Sequence, residues 1–324
     1  MINCLHHFEI LTNSSQKLLK YFIDGFNFKL VTSKCSASYE QYLIKSNSIN
    51  FLITSIESPN LNNKHNHYCA VNKPSLDIIQ SKNILLYDCI RSKQNTVFNA
   101  AFQVTCIDKI LKNCANHNVR VLRDKELLYD KNFGYVQLAM IESCVDGVVH
   151  SLIDLNDYKG QFLPGFETSN NFKQPHLESN LTHFDHLTYA VERNKSKGVI
   201  DWYEKIFNMK RFMLYKEENE GLMVKTGESG MNLKCINYWM CAETGVEFDA
   251  KSSNDFKFVI SEPLENSISK ETRNQISIFL DENNGPGILF YIFYSLFFSS
   301  SIHKNIHPWI NSSFLTYNLI YRNS

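Results

Sequence analysis

The sequence is poor in the residues that punctuate or staple a chain. Its 324 residues include 12 glycines and 7 prolines, none of its nine cysteines forms a Cys-x-x-Cys pair, and 33 basic residues balance 33 acidic ones. Without net charge there is no broad basic footprint, so no nucleic acid is expected as a partner. The cysteines are odd in number and scattered through apolar stretches, which reads as buried free thiols in a reducing compartment. That favours the cytoplasm and leaves a mitochondrial location open. No run reaches the ~20 apolar residues of a membrane span. The first residues lack the long apolar core of a signal peptide, and Ile2, Cys4, Phe8 and Ile10 give them the look of a strand. There is no Gly-rich phosphate loop, no Gly-x-Ser-x-Gly elbow and no zinc-finger spacing. Acidic residues stop altogether at the end: residues 288–324 contain no Asp or Glu, and ten of these 37 are aromatic.

What is present is 44% apolar and 20% charged residues, the composition of a folded soluble protein long enough for two domains. One order of elements recurs without repeating in sequence: an apolar strand, a helix of about a dozen residues, then several alternating strands. The first copy has a strand at 5–11 and a helix at 14–26 carrying Leu18, Leu19, Phe22, Ile23 and Phe26, with a cap near Asn13 and Ser14. Strands follow at 29–33, 42–45 and 49–55, and the polar stretch 60–73, with His65 and His67, reads as a loop. The second copy has a strand at 97–104, a helix at 108–116 with Ile110, Leu111 and Cys114 as its stripe, and strands at 119–124, 126–129, 135–142 and 148–154. In the third, a strand at 183–190 precedes a helix at 196–207 bearing Val199, Trp202, Tyr203 and Ile206. Strands at 211–215, 221–225, 231–239 and 257–260 come next, and then a helix at 270–281. After Gly285-Pro286-Gly287 a fourth strand opens, but no fourth copy follows it. The fold class is α+β.

A histidine in a strand, such as His186, is most simply a structural residue. Its company gives it another reading. Gly160-Gln161-Phe162-Leu163-Pro164-Gly165-Phe166 lies upstream, Trp202-Tyr203-Glu204 opens a motif running to 212, and Ser229-Gly230-Met231-Asn232, Asn274-Gln275-Ile276 and Gly285-Pro286-Gly287-Ile288 lie downstream. In that order and approximate spacing they resemble the 4-hydroxyphenylpyruvate dioxygenase family, and within it the animal 4-hydroxyphenylpyruvate dioxygenase-like proteins, over about residues 1–288. The resemblance implies tandem vicinal-oxygen-chelate domains built of paired β-α-β-β-β modules. The expected division is an N-terminal domain at 1–156, a linker at 157–182, a C-terminal domain at 183–288 that lacks its fourth module, and a divergent aromatic-rich tail at 289–324.

The resemblance also implies chemistry. Enzymes of this family hold Fe(II) by two histidines and one carboxylate, leaving positions for an aromatic 2-oxo acid and O2. Carried over, the first histidine falls on His186. The second would follow the Gly-x-Gly turn as Gln-His, where this chain has Leu289 and Phe290, and no acidic residue after 288 can stand for the carboxylate. Gln275 falls on a glutamine that lines the substrate pocket, although a surface amide on a helix is an equal alternative. Glu262-Pro263 resembles an Asn-Glu-Pro segment with Ser261 in place of asparagine, and Leu233 stands where a pocket serine is expected. The implied function is an Fe(II)-dependent dioxygenase-family protein of tyrosine-related metabolism. The alternative is a catalytically inactive remnant or binding protein, two of three iron ligands being absent. No catalytic residue is assigned, and the resemblance leaves a homodimer open.

His6 and His7 occupy a place similar to His186 in the first copy, but without a matching carboxylate or histidine partner they read as structural. His303 and His307 have the i, i+4 spacing of a helical metal pair, yet Pro308 and the Asn/Ser-rich surroundings favour solvated loop residues. The tail after 288 carries three readings: a divergent strand that covers the open sheet, sequence foreign to the ancestral protein, or an interfacial anchor.

Overall fold

A computed structural model of the chain describes residues 2–36, 39–55, 96–168, 181, 186–212, 221–226, 229–237, 257–264 and 274–289. The elements run β1 (Ile2–Thr12), α1 (Ser15–Phe26), β2 (Lys29–Cys35), β3 (Glu40–Ser46) and β4 (Ile49–Ser55). After them come β5 (Thr96–Val104), α2 (Ile107–Asn116), β6 (Val121–Asp130), β7 (Gly134–Glu142) and β8 (Val149–Asp154). The third group is β9 (His186–Ala190), α3 (Ser196–Phe207), β10 (Lys210–Phe212), β11 (Leu222–Thr226), β12 (Ser229–Asn237) and β13 (Lys257–Pro263), followed by α4 (Gln275–Glu282) and β14 (Gly287–Leu289).

The strands form two sheets. One has the order β2-β3-β4-β1-β5-β8-β7-β6, with β1 and β5 antiparallel at its centre and each flanked by a parallel neighbour, β4 and β8. The other has the order β10-β12-β13-β9-β14, with β11 added on β12. Here β9 is parallel to β13 and antiparallel to β14, so β14 stands to β9 as β5 stands to β1. The strand expected after Gly287 is therefore formed. Residues 290–324, and with them His303, His307 and the three readings of the tail, lie outside the described residues, as do His65 and His67.

Alternation decides which face of each strand meets the helices. In β1 Phe8 and Ile10, in β4 Phe51 and Ile53, in β5 Phe102 and in β9 Leu187 and Tyr189 all enter one continuous core with α1, α2 and α3. This core joins the two sheets, for Phe102 of the first meets Phe207 at the end of α3 and Phe258 of the second sheet edge to face, at 5.5 and 5.9 Å between ring centres. Asn113 on α2 also donates to the Ile206 carbonyl at the end of α3, at 3.0 Å.

Scarce glycine has a visible consequence. Asn27, Asn47, Asn118, Asn156, Asn194, Asn208 and Asn284 all adopt left-handed backbone, with φ between 46° and 65°, and every described non-glycine residue with positive φ is an asparagine. Its short amide lowers the cost of that conformation. Asn27 and Asn208 accordingly end α1 and α3, each with its N–H bonded back into the last turn.

Four sequence expectations change. The strands expected at 119–124 and 126–129 are one strand, β6, whose two register shifts against β7 interrupt its alternation. The last helix begins at Gln275, since Asn274 is its cap and accepts from Ser277 N at 2.8 Å. Ser14 holds the N-cap position of α1 without a side-chain cap bond. The thiols are not uniformly buried and free: Cys35, exposed at the end of β2, is disulfide-bonded, and Cys106 and Cys144 are exposed. Among the described residues no helix is long and apolar enough to cross a membrane.

Candidate functional site

The face of the second sheet turned away from α3 is built from alternate residues. On β9 these are His186, Thr188 and Ala190, because Leu187 and Tyr189 point into the core. Register then adds Val259 and Ser261 from β13, opposite Thr188 and Ala190, and Leu289 from β14, opposite Thr188. Met231 and Leu233 of β12 continue the surface. Helix α4 lies across it, packing Ile276, Phe279 and Leu280 against Ala190, Met231 and Leu289. Asn274 fixes that placement by donating from Nδ2 to the Gly230 carbonyl at 3.0 Å.

His186 sits half-buried at the open end of β9. Gln275, half-buried, is the first residue of α4. Its neighbour Ile276 packs on Ala190, four residues and so about 13 Å along the strand from His186. The two residues singled out in the sequence thus belong to neighbouring elements, His186 on β9 and Gln275 at the start of the helix packed across the other end of that strand. Between them the polar groups are few. The Ser261 hydroxyl is engaged, donating to the Tyr189 carbonyl at 3.2 Å. The Thr188 hydroxyl is different: Thr188 is 4% exposed and its Oγ1 has no hydrogen-bond partner among the described residues. A buried hydroxyl without a partner costs about 1–3 kcal/mol, which a ligand atom could offset.

The acidic residue of the Glu262-Pro263 pair lies elsewhere. Glu262 alternates to the helix side, where its Oε2 accepts from Ser196 N at 3.2 Å and Lys234 approaches Oε1 to 3.7 Å. Helix α3 has no acidic residue in its first turn and no capping side chain of its own, so this carboxylate from β13 serves its N-terminus. Among the described residues no group of three or more His, Cys, Asp or Glu could hold a metal ion. His186 has beside it a hydroxyl and, on β14, Leu289, so the described residues do not fit a ferrous centre with three protein donors.

Three polar arrangements lie elsewhere, and of these only the histidines at 6 and 7 are singled out in the sequence. On the first sheet Glu9, 4% exposed, accepts from Gln41 Nε2 at 3.0 Å, Thr54 Oγ1 at 2.6 Å and Asn99 Nδ2 at 3.0 Å. Nearby, a bulge around His6 brings the His6 and His7 Nδ1 atoms to 2.7 Å from each other, against the Phe162 ring. Burial, then the charge of Lys45, lowers the pKa of His6 to about 4; burial and His6 lower that of His7. The pair is therefore neutral and hydrogen-bonded, as a structural role requires. Between the sheets, His150 donates from Nδ1 to the Ala100 carbonyl at 3.0 Å, which leaves Nε2 to accept from the Tyr203 hydroxyl at 2.7 Å. That hydroxyl is also hydrogen-bonded to the Tyr189 hydroxyl at 2.6 Å. All three side chains are inaccessible to solvent. The only advance signal was Tyr203 on an otherwise apolar helical stripe.

No family model matches the chain. It is 25% identical over 200 residues to 4-hydroxyphenylpyruvate dioxygenase of Yarrowia lipolytica, an alignment covering 60% of this chain and 44% of that protein. With the Neurospora crassa enzyme of the same name it shares 23% identity over 297 residues, 88% of this chain and 64% of that one. A mutant of 4-hydroxymandelate synthase from Streptomyces coelicolor superposes with a TM-score of 0.63 at 12% identity, covering 89% of this chain and 70% of that one. The fold is of the vicinal-oxygen-chelate type. In sequence the chain is a relative of proteins named 4-hydroxyphenylpyruvate dioxygenase, and it spans about half the length of the curated relatives it matches.

Proposed function

We propose that the protein is a dioxygenase-family relative that binds an aromatic 2-oxo acid on the β9 face, and that the described residues hold this ligand without an iron centre. In this reading 1–156 supports the site, 157–182 links, and 183–288 carries the ligand. The acid end lies at His186 and Thr188, and the ring lies along the strand up to the edge of α4, where Ala190, Met231 and Leu289 are already covered by that helix and Gln275 marks the far end. The observation that carries the proposal is the buried Thr188 hydroxyl, without a partner among the described residues, two residues from His186 on a largely apolar face whose other hydroxyl, Ser261, is already engaged. His186 supplies a hydrogen bond to the acid and Thr188 a second one, while α4 keeps water from the ring.

A second reading, an Fe(II)-dependent dioxygenase turning over the same ligand with O2, is favoured by the names of the relatives. It needs donors beyond those described. One set of measurements separates the two: iron content, O2 uptake and calorimetric binding with 4-hydroxyphenylpyruvate, for the chain and for His186→Ala and Thr188→Val. The first reading expects saturable binding without O2 uptake, weakened about 5- to 10-fold by either substitution, the loss of one hydrogen bond. Near-stoichiometric iron that disappears in His186→Ala, together with O2 uptake, replaces it with the second. No binding at all sinks both.

A further inference from the structure

The segment after β8 closes the open side of the first sheet. Lys159 N donates to the Phe133 carbonyl in the β6–β7 turn at 3.0 Å, and Glu167 exchanges two backbone hydrogen bonds with Ser33 of β2, at 3.0 and 2.8 Å. Since β2 and β6 are the two edges of that sheet, this strap joins one edge to the other. Phe162 and Leu163 anchor it by packing on Leu43, Leu52, Ala101 and Val136. Between the strap, β2 and the turn lies a cavity of about 200 Å³.

Four rings line it, Phe133, Tyr158, Phe162 and Phe166, together with the polar residues Thr32, Gln161 and Thr168. Two formal charges border it, Asp130 and Lys159, and no ion pair joins them. Lys159 is exposed, so its ammonium is solvated at the rim. Asp130 is half-buried and fixed, because its Oδ1 accepts from Asn132 N at 2.8 Å and Phe133 N at 3.1 Å, while Oδ2 takes no such bond. Burial and then the charge of Asp130 raise the pKa of Tyr158, as expected of a carboxylate facing the same cavity as the phenol. At the packing density of protein interiors the cavity holds roughly ten heavy atoms, below the range of drug-sized pockets. Ring faces carry negative potential and the oriented carboxylate adds to it, which suits a cation and disfavours an acid.

We propose that this cavity is a binding site for a small aromatic amine, with its ring among those of Phe133, Tyr158, Phe162 and Phe166 and its ammonium at Asp130 Oδ2. The site lies on the first sheet and does not depend on the reading of the β9 face. Titration of the full chain with phenethylamine, 2-phenylethanol and phenylacetate, followed by ligand-observed NMR and calorimetry, tests it. Phenethylamine binds with a Kd in the range of about 0.1–1 mM, the scale for a fragment of this size. It binds at least tenfold more tightly than the neutral alcohol, and phenylacetate does not compete. Asp130→Asn keeps an oxygen to accept the two turn N–H groups, so the fold stays intact while affinity falls to that of the alcohol. Gly160→Ala, whose Cβ would run into the Tyr158 hydroxyl, displaces a wall and weakens both ligands. His186→Ala leaves binding unchanged. Displacement of phenethylamine by phenylacetate, undiminished binding by Asp130→Asn, loss of binding in His186→Ala, or no saturable binding overturns the proposal.

Discussion

Replacing Tyr203 by phenylalanine removes one oxygen and leaves every ring contact in place. That oxygen holds two groups closely, the His150 Nε2 at 2.7 Å and the Tyr189 hydroxyl at 2.6 Å, with the part-buried Ser143 hydroxyl farther off at 3.5 Å. Neither can turn to water, because His150, Tyr189 and Tyr203 are all fully buried where the two sheets share a core. Each buried polar group left unpaired costs about 1–3 kcal/mol, so Tyr203→Phe should destabilise the protein by about 2–4 kcal/mol. The arrangement also fixes how a second substitution behaves. Once Tyr203 is phenylalanine, the Tyr189 hydroxyl is already unpaired, and deleting it removes a liability. Tyr189→Phe in that background should therefore cost little, and the double-mutant cycle should show a coupling of about 1 kcal/mol or more. Urea unfolding followed by circular dichroism and by fluorescence measures all four chains, with coincident transitions as the condition for comparing them. Additive losses, or a Tyr203→Phe effect below about 0.5 kcal/mol, would refute the claim that this chain of hydroxyls and imidazole clamps the sheets together.

Two further outcomes follow from the same packing. Burial lowers the pKa of His150 from 6.5 to about 4, so the folded protein keeps it neutral. Above pH 6.5 neither state takes the proton. From 6.5 down to about 4 only the unfolded chain does, so stability falls through that window, by up to about 3 kcal/mol for this residue. His6 adds a fall of the same sign. Urea midpoints measured from pH 7 to 4 should show this loss, reduced in His150→Gln, and a flat profile would contradict it. Glu9→Leu strands the donors of Gln41, Thr54 and Asn99 and should cost about 3–5 kcal/mol, against about 1–2 for Glu9→Gln, whose amide oxygen still accepts. Thermal denaturation ranks the two, and equal losses would show that the carboxylate merely fills space.

Much of the fold was legible because it rests on period. The stripes of α1, α2 and α3 and the short apolar runs of β3, β4, β7 and β8 are local signals, and the elements appear close to where they read. What was not legible depends on partners far along the chain. Val121 to Asp130 reads as two strands because two register shifts against β7 interrupt its alternation, and a bulge is a property of a pair of strands. Glu262 sits in a motif suggestive of a pocket, yet alternation turns it to the other face, where Ser196 lacks a cap. Tyr203 reads as one more apolar residue of α3, since His150 is 53 positions away.

The site shows the same division. His186 and Gln275 could be named from motifs, and both belong to the layer formed by β9 and α4. Thr188 could not be named, because a hydroxyl becomes informative only once its surroundings fail to satisfy it. The chemistry of that face then follows from parity. In an antiparallel pair, facing residues share a side, so Leu289, opposite Thr188, lies on the side that carries His186. It is the residue of β14 best placed to put a donor there, and it is leucine, packed with Ala190, Met231 and Ile276. To surround a ferrous ion requires several nitrogen or oxygen donors converging on one point. To hold an aromatic acid requires one or two hydrogen bonds at one end and dry apolar surface for the rest. The described residues of this face supply an imidazole, an unpaired hydroxyl and an apolar floor beneath α4, which meets the second requirement and not the first.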